Sequence, residues 1–141
     1  MKPQRVLILH DYAGSRGGAE ILALDIRAGF RARGIDTRLM TTTVDAQTMT
    51  PEETPEYLCS GTNGRLRALS ETFNLDARRQ LSKSLKEFQP DVVLVLMFLT
   101  ALSPAILAPL RGTPTVYMHM TYREVCPTGL RWRPEEGLCT A

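Results

Sequence analysis

The stretch Val6-Leu7-Ile8-Leu9-His10-Asp11-Tyr12-Ala13-Gly14-Ser15-Arg16-Gly17-Gly18-Ala19-Glu20 decides the fold. Its first four residues form a continuous apolar run, as a parallel strand covered on both faces requires. A glycine-rich loop follows over 11–18. Beyond it, Leu22, Ile26 and Phe30 recur every fourth residue, with Ala19 and Ala23 beside them. That period builds one apolar face of a helix. Gly34 stands where a left-handed C-cap is expected, and 35–40 reads as the next strand. Strand, loop, helix and strand in this length make a βαβ unit.

Working outward, 41–56 breaks the pattern with consecutive threonines, two prolines and several acids. It reads as a long surface loop, a kind of segment that is uncommon unless functional. Tyr57-Leu58-Cys59 reads as a short third strand, and a helix is predicted over 65–73. Asn74 is placed to cap another helix, whose Ala77, Leu81, Leu85 and Phe88 form an apolar stripe. Arg78, Arg79, Lys83 and Lys86 occupy its other faces and read as a solvated surface.

Pro90 ends that helix, and Val92 to Leu96 is the clearest buried strand. Ser103 and Pro104 form a helix start for 105–110, which Gly112 stops. Residues 114–118 give a last strand. The sum is an α/β chain, a Rossmann-like α/β/α sandwich with a mostly parallel sheet of about five strands. Ligands of such folds bind beyond the carboxyl ends of the strands. That singles out the loops 10–18, 97–103 and 119–129.

Composition narrows the classes further. The chain has 141 residues, 43% hydrophobic and 23% charged, which suits one globular domain and excludes disorder, collagen and coiled coil. A formal charge of +2 is too slight to argue for a nucleic-acid partner. The apolar start at 6–10 is too short for a secretory signal, and no run approaches a membrane span. A cytoplasmic protein is expected, with peripheral membrane contact on that face left open. Cys59, Cys126 and Cys139 are odd in number, and Cys126 and Cys139 lack the companion ligands of a zinc site. No metal and no cofactor are expected.

In the first loop, Gly14-x-x-Gly17-Gly18 precedes a helix, where free N–H groups favour a phosphate. The spacing is neither the dinucleotide fingerprint nor a P-loop, so a generic tight turn competes with a diphosphate site. Glu20 lies in the first helical turn, where it complements the helix dipole or faces an acceptor hydroxyl. His10 and His119 both fall where strands end, and both are candidates to look into one crevice. Asp11 is the acid next to a candidate histidine, and Tyr122 follows shortly after His119.

The segments at 6–20, Phe88-Gln89-Pro90-Asp91-Val92-Val93-Leu94-Val95-Leu96, and Pro114-Thr115-Val116-Tyr117-Met118-His119-Met120-Thr121-Tyr122-Arg123-Glu124-Val125-Cys126-Pro127 together resemble the N-terminal domain of a family 4 glycosyltransferase. The resemblance implies one half of a GT-B fold, acting in a retaining enzyme that moves a sugar from a nucleotide-diphosphate sugar to an acceptor hydroxyl. Its acceptor would be a sugar, a lipid-linked glycan or a small molecule. It implies that Gly17 and Gly18 approach the donor diphosphate and that His119 contacts the transferred sugar as the catalytic residue. His10, Asp11, Glu20 and Tyr122 are then acceptor or cleft contacts. It also implies a C-terminal donor-binding domain that residues 1–141 do not contain, with 119–141 an irregular, truncated tail. The fragment alone is expected to be inactive. A non-catalytic module binding a phosphorylated metabolite or a protein partner is the alternative, and a nicotinamide-dependent oxidoreductase is disfavoured by the glycine spacing.

Overall fold

The structure is a computed structural model describing residues 3–15, 17–44, 46, 49–61, 72–123, 125–126, 129–133 and 137–138. Chain order is β1 (Arg5–Leu9), α1 (Gly18–Arg31), β2 (Asp36–Thr42), β3 (Tyr57–Cys59), α2 (Leu75–Phe88), β4 (Val92–Val95), a 3-10 turn (Pro104–Leu107) and β5 (Thr115–Tyr117). A two-residue antiparallel ladder follows, with β6 (Trp132–Arg133) against β7 (Gly137–Leu138). The first five strands form one wholly parallel sheet in the order β3-β2-β1-β4-β5. This is the doubly wound α/β architecture the sequence predicts.

Strand alternation divides the core into two layers. Leu7 and Leu9 face α2, packing with Leu81, Phe88, Val93 and Ile106. Val6 and Ile8 face α1, packing with Ala23, Ile35 and Leu39. Full burial of each such Leu or Ile contributes about 1.5–3 kcal/mol against the exposed state. The ends of α1 and α2 follow from their sequences. Gly34 has φ 75° and closes α1 through Ile35 N–H to Phe30 O at 3.1 Å, a Schellman-type stop. The Asn74 side chain accepts from Ala77 N–H at 3.0 Å and so caps α2.

Several boundaries differ from the sequence-based reading. β2 runs on to Thr42, because Thr41 and Thr42 pair with Leu58 and Cys59 of β3. The helix expected over 105–110 is a four-residue 3-10 turn. Pro109 has no N–H to return to Ala105 and its ring opposes that carbonyl, so an α-helix cannot pass it. β5 forms as expected but is an edge strand, with Val116 53% exposed. In the 119–141 tail, the β6–β7 ladder adds order that the composition did not suggest. The helix predicted over 65–73 lies largely outside the described residues, as does Cys139.

The expected surface loop after β2 is tied down. Arg27 on α1 is only 3% exposed and donates to the carbonyl of Thr54 at 2.9 Å and to that of Glu52. Glu56 pairs with Arg31 at 2.6 Å and accepts from Leu39 N–H at 2.7 Å. Residues 49–56 are thus a strap across α1 and β2. At the end of the edge strand β3, Cys59 is buried with its thiol toward the Thr41 carbonyl, and burial pushes its thiol up to about 12.

Candidate functional site at the carboxyl edge of the sheet

β1, β4 and β5 end level, with Leu9 beside Val95 and Val95 beside Tyr117. The strand order reverses between β1 and β4, which places the ligand crevice of this architecture beyond their carboxyl ends. The residues that follow β1 therefore meet the loop that follows β4.

Asp11 makes that meeting. Fully buried, its carboxylate accepts from Thr100 N–H at 2.9 Å, Ala101 N–H at 2.9 Å and Leu102 N–H at 2.7 Å. Both oxygens are spent on backbone donors, so Asp11 shapes the crevice floor by holding the 100–102 turn. Asn74 grips the same turn from α2. Its side-chain amide donates to Ala101 O at 2.7 Å, and its backbone N–H donates to Ser103 Oγ at 2.8 Å. Sequence reasoning assigned Asn74 and Ser103 to capping and missed that they also close this turn. Nothing in the spacing of 74 and 103 signals a contact across such separation.

His10 is also fully buried, and its Nδ1 lies 3.1 Å from Tyr12 O and 3.2 Å from Tyr12 N. Among the described residues its Nε2 has no hydrogen-bond partner. Burial holds the imidazole below its ordinary pKa of 6.5, opposed by the Tyr12 carbonyl and the charges of Glu20 and Asp11. The ring is therefore neutral at pH 7.

Gly17 is the N-cap of α1 with extended backbone, and it brings no side-chain cap of its own. A Cβ at Gly17 would collide with the Glu20 carboxylate, which curls back over the loop. A Cβ at Gly18 would meet nothing within 4 Å. The first turn of α1 is thus approachable at Gly18, while Glu20 covers it at Gly17. An anion arriving there would face the helix N–H groups at Gly18 and the Glu20 charge beside them.

His119 lies on the other arm of the edge. It is exposed, with its ring centroid 4.5 Å from that of Tyr117, which packs edge-on against Phe98. A hollow of about 550 Å³ opens here, lined by His119, Met120, Thr121, Tyr122, Val125 and Gly129. Arg131 sits over the Tyr122 ring at 5.6 Å. His10 follows Ile8 toward the α1 layer, whereas His119 follows Tyr117 toward the α2 layer. The two histidines share the edge, two strand spacings or about 10 Å apart, but leave it on opposite faces of the sheet. Among the described residues, no three His, Cys, Asp or Glu side chains converge as a metal site would need.

A wholly parallel doubly wound sheet with its open positions at the switch-point edge defines a Rossmann-like domain. The family model for Glycosyltransferase Family 4 matches residues 16–136, and the chain belongs to that family. It is also similar in structure to UDP-GlcNAc 2-epimerase from Neisseria meningitidis, solved bound to UDP-GlcNAc. That similarity has a TM-score of 0.55 at 17% identity, covering 89% of this chain and 36% of the epimerase chain. At this identity the likeness concerns the fold, which is one Rossmann-like half of the GT-B type. The chain thus spans about a third of the epimerase's length. No curated protein sequence matches it.

Proposed function

We propose that this chain is the acceptor-side half of a retaining glycosyltransferase that moves a sugar from a nucleotide-diphosphate sugar to an acceptor hydroxyl. Family membership supports sugar transfer as the reaction class. The observation that carries the assignment to this edge is the open start of α1 at Gly18, beside the switch-point crevice. Gly18, with Gly17 before it, admits the donor diphosphate to helix N–H groups. Those groups stabilise the charge that develops on the leaving diphosphate. His119, exposed at the mouth of the hollow, positions the transferred sugar, with Tyr122 as a wall of the acceptor space. His10, fully buried at the end of β1, backs the acceptor side of the crevice, and Asp11 acts through the turn it holds. Glu20 faces the acceptor hydroxyl or the domain that brings the donor.

In this reading the donor nucleotide is held mainly by a second, C-terminal domain. The native gene product should then have an intact mass of about 40 kDa, the size of two such domains. Given a panel of nucleotide-diphosphate sugars and acceptors, that product is expected to release nucleotide only when both substrates are present. His119→Ala should lower turnover at least about 100-fold while leaving folding unchanged. Gly18→Val should raise the KM for donor. A folded full-length protein that releases no nucleotide across the panel overturns the assignment. Wild-type turnover in the His119 variant removes that residue from the site.

A further inference from the structure

β5 ends at Tyr117, and one further bond prolongs its ladder, from Met118 N–H to Val95 O at 2.9 Å. His119 is the next residue. Its backbone leaves from a fixed point, but an exposed histidine side chain there has three staggered χ1 wells and two broad χ2 orientations open to it. The structure uses one combination, with the ring lining the hollow. Selecting it loses rotamer entropy, so a contact has to favour it.

The Tyr117 ring supplies that contact. Residues two apart on an extended chain share a face about 6.6 Å apart. The ring centroids of Tyr117 and His119 are only 4.5 Å apart, at an interplanar angle of 57°. The two rings thus lean together, at a separation where aromatic pairs attract. Tyr117 is itself held. It packs half-buried against the α2-side core, and Phe98, only 8% exposed, meets it edge-on at 5.4 Å and 73°. Phe98 is pinned on both sides along the chain. Before it, Leu96 N–H donates to Leu9 O at 3.0 Å, and after it, Thr100 N–H donates to Asp11 at 2.9 Å. The junction of β1 with β4 thereby reaches the exposed imidazole through two rings.

We propose that Tyr117 is the positioning residue of this site: its ring, backed by Phe98, holds the His119 imidazole in the orientation that faces the hollow. Tyr117 acts through His119 and touches neither substrate. A sugar arriving at the hollow meets an imidazole already oriented, so no ordering of that side chain is left for the reaction itself. The size of the effect is bounded. Release of the ring into three χ1 wells, or into those wells with both χ2 orientations, dilutes the productive orientation about threefold to sixfold. The consequence for turnover rests on the glycosyl-transfer reading; the hold on the ring does not.

Two measurements test this, one of them independent of any transfer. On the chain itself, NMR three-bond couplings and ring-to-ring cross-relaxation read the His119 side chain. A single χ1 rotamer in contact with the Tyr117 ring is expected, and both features should persist in Tyr117→Phe. Tyr117→Leu should average His119 over its rotamers with an unchanged circular dichroism spectrum. Phe98→Leu, a milder change on the same stack, should do so in part, and serves where Tyr117→Leu does not fold. Rotamer averaging already present in the wild-type chain overturns the proposal. So does a single rotamer retained in the folded leucine variants. Averaging in Tyr117→Phe as complete as in Tyr117→Leu would give the hold to the hydroxyl and overturn the role of the ring. In the full-length protein, Tyr117→Leu should lower kcat about threefold to sixfold with each KM within about twofold of wild type. Added to His119→Ala it should lower kcat no further, because the residue it positions is gone. An additive loss overturns the proposal, as does a single-variant loss as deep as that of His119→Ala. If the full-length protein releases no nucleotide at all, the functional reading falls, and the NMR result still decides whether Tyr117 holds the ring.

Discussion

The two arms of the carboxyl edge are built in opposite ways. At the β1–β4 junction the polar side chains of the described residues are buried and bound into the fold, apart from His10 Nε2. Asp11 spends both oxygens on three backbone donors, and His10 is closed off from solvent. At the end of β5 the strand is an exposed edge, and His119 and Tyr122 stand open to solvent around a hollow. One arm fixes geometry and the other presents side chains. A site that must hold a reacting group in register needs both, because positioning residues have to be locked while contact residues have to be reachable.

That contrast breaks most readily at Asp11. Asp11→Ala would leave three buried backbone N–H groups without acceptors, at about 1–3 kcal/mol each before relaxation. A loss of about 3–5 kcal/mol in urea unfolding is expected, and a loss under 1 kcal/mol would show that the turn does not depend on the carboxylate. Arg27→Met should cost less, about 1–3 kcal/mol, because the carbonyls it releases at 52 and 54 can turn to water. The strap should then become the first site of limited proteolysis, and unchanged cleavage would count against its anchoring role.

His10 adds a pH dependence to the locked arm. Its folded pKa is depressed, so the unfolded chain binds the proton more readily below about 6.5. Stability should be held above that value and decline as pH falls from it toward the depressed folded value. His10→Gln should flatten this limb of a pH–stability profile; an identical profile in the variant would exclude His10 as its source. On the open arm the smallest effect is expected. His119→Ala should change stability by no more than about 1 kcal/mol, as for an exposed residue whose ring rests on Tyr117. A large loss would move His119 from the presenting arm to the locked one.

The locked arm was partly legible in the sequence and the open arm more so. The run 6–9 predicts β1 because a strand covered on both faces must be apolar throughout, and His10 and Asp11 fall at its end by counting. The spending of Asp11 on 100–102 was not legible, since the bond closes between residues 90 positions apart. Arg27 was missed for a related reason. An arginine in an amphipathic helix normally marks the wet side, and only the strap's carbonyls make its burial tolerable. Pro109 was legible and overlooked: its missing N–H shortens the element after Ser103. The crevice itself follows from strand order, which the alternation of strands and helices implies without fixing. Nothing in the local pattern around 10 and 119 showed that their side chains leave the sheet on opposite faces.

The burial of Cys59 turns the molecule into its own clock. With the thiol pushed up to about 12 and sealed between β3 and β2, an alkylating reagent can reach it only when the edge strand peels away. Cys126, half-buried beside the hollow, sits on the opposite margin of the sheet. Labelling of Cys59 relative to the partly accessible Cys126, read by peptide mass, therefore times the peeling of β3.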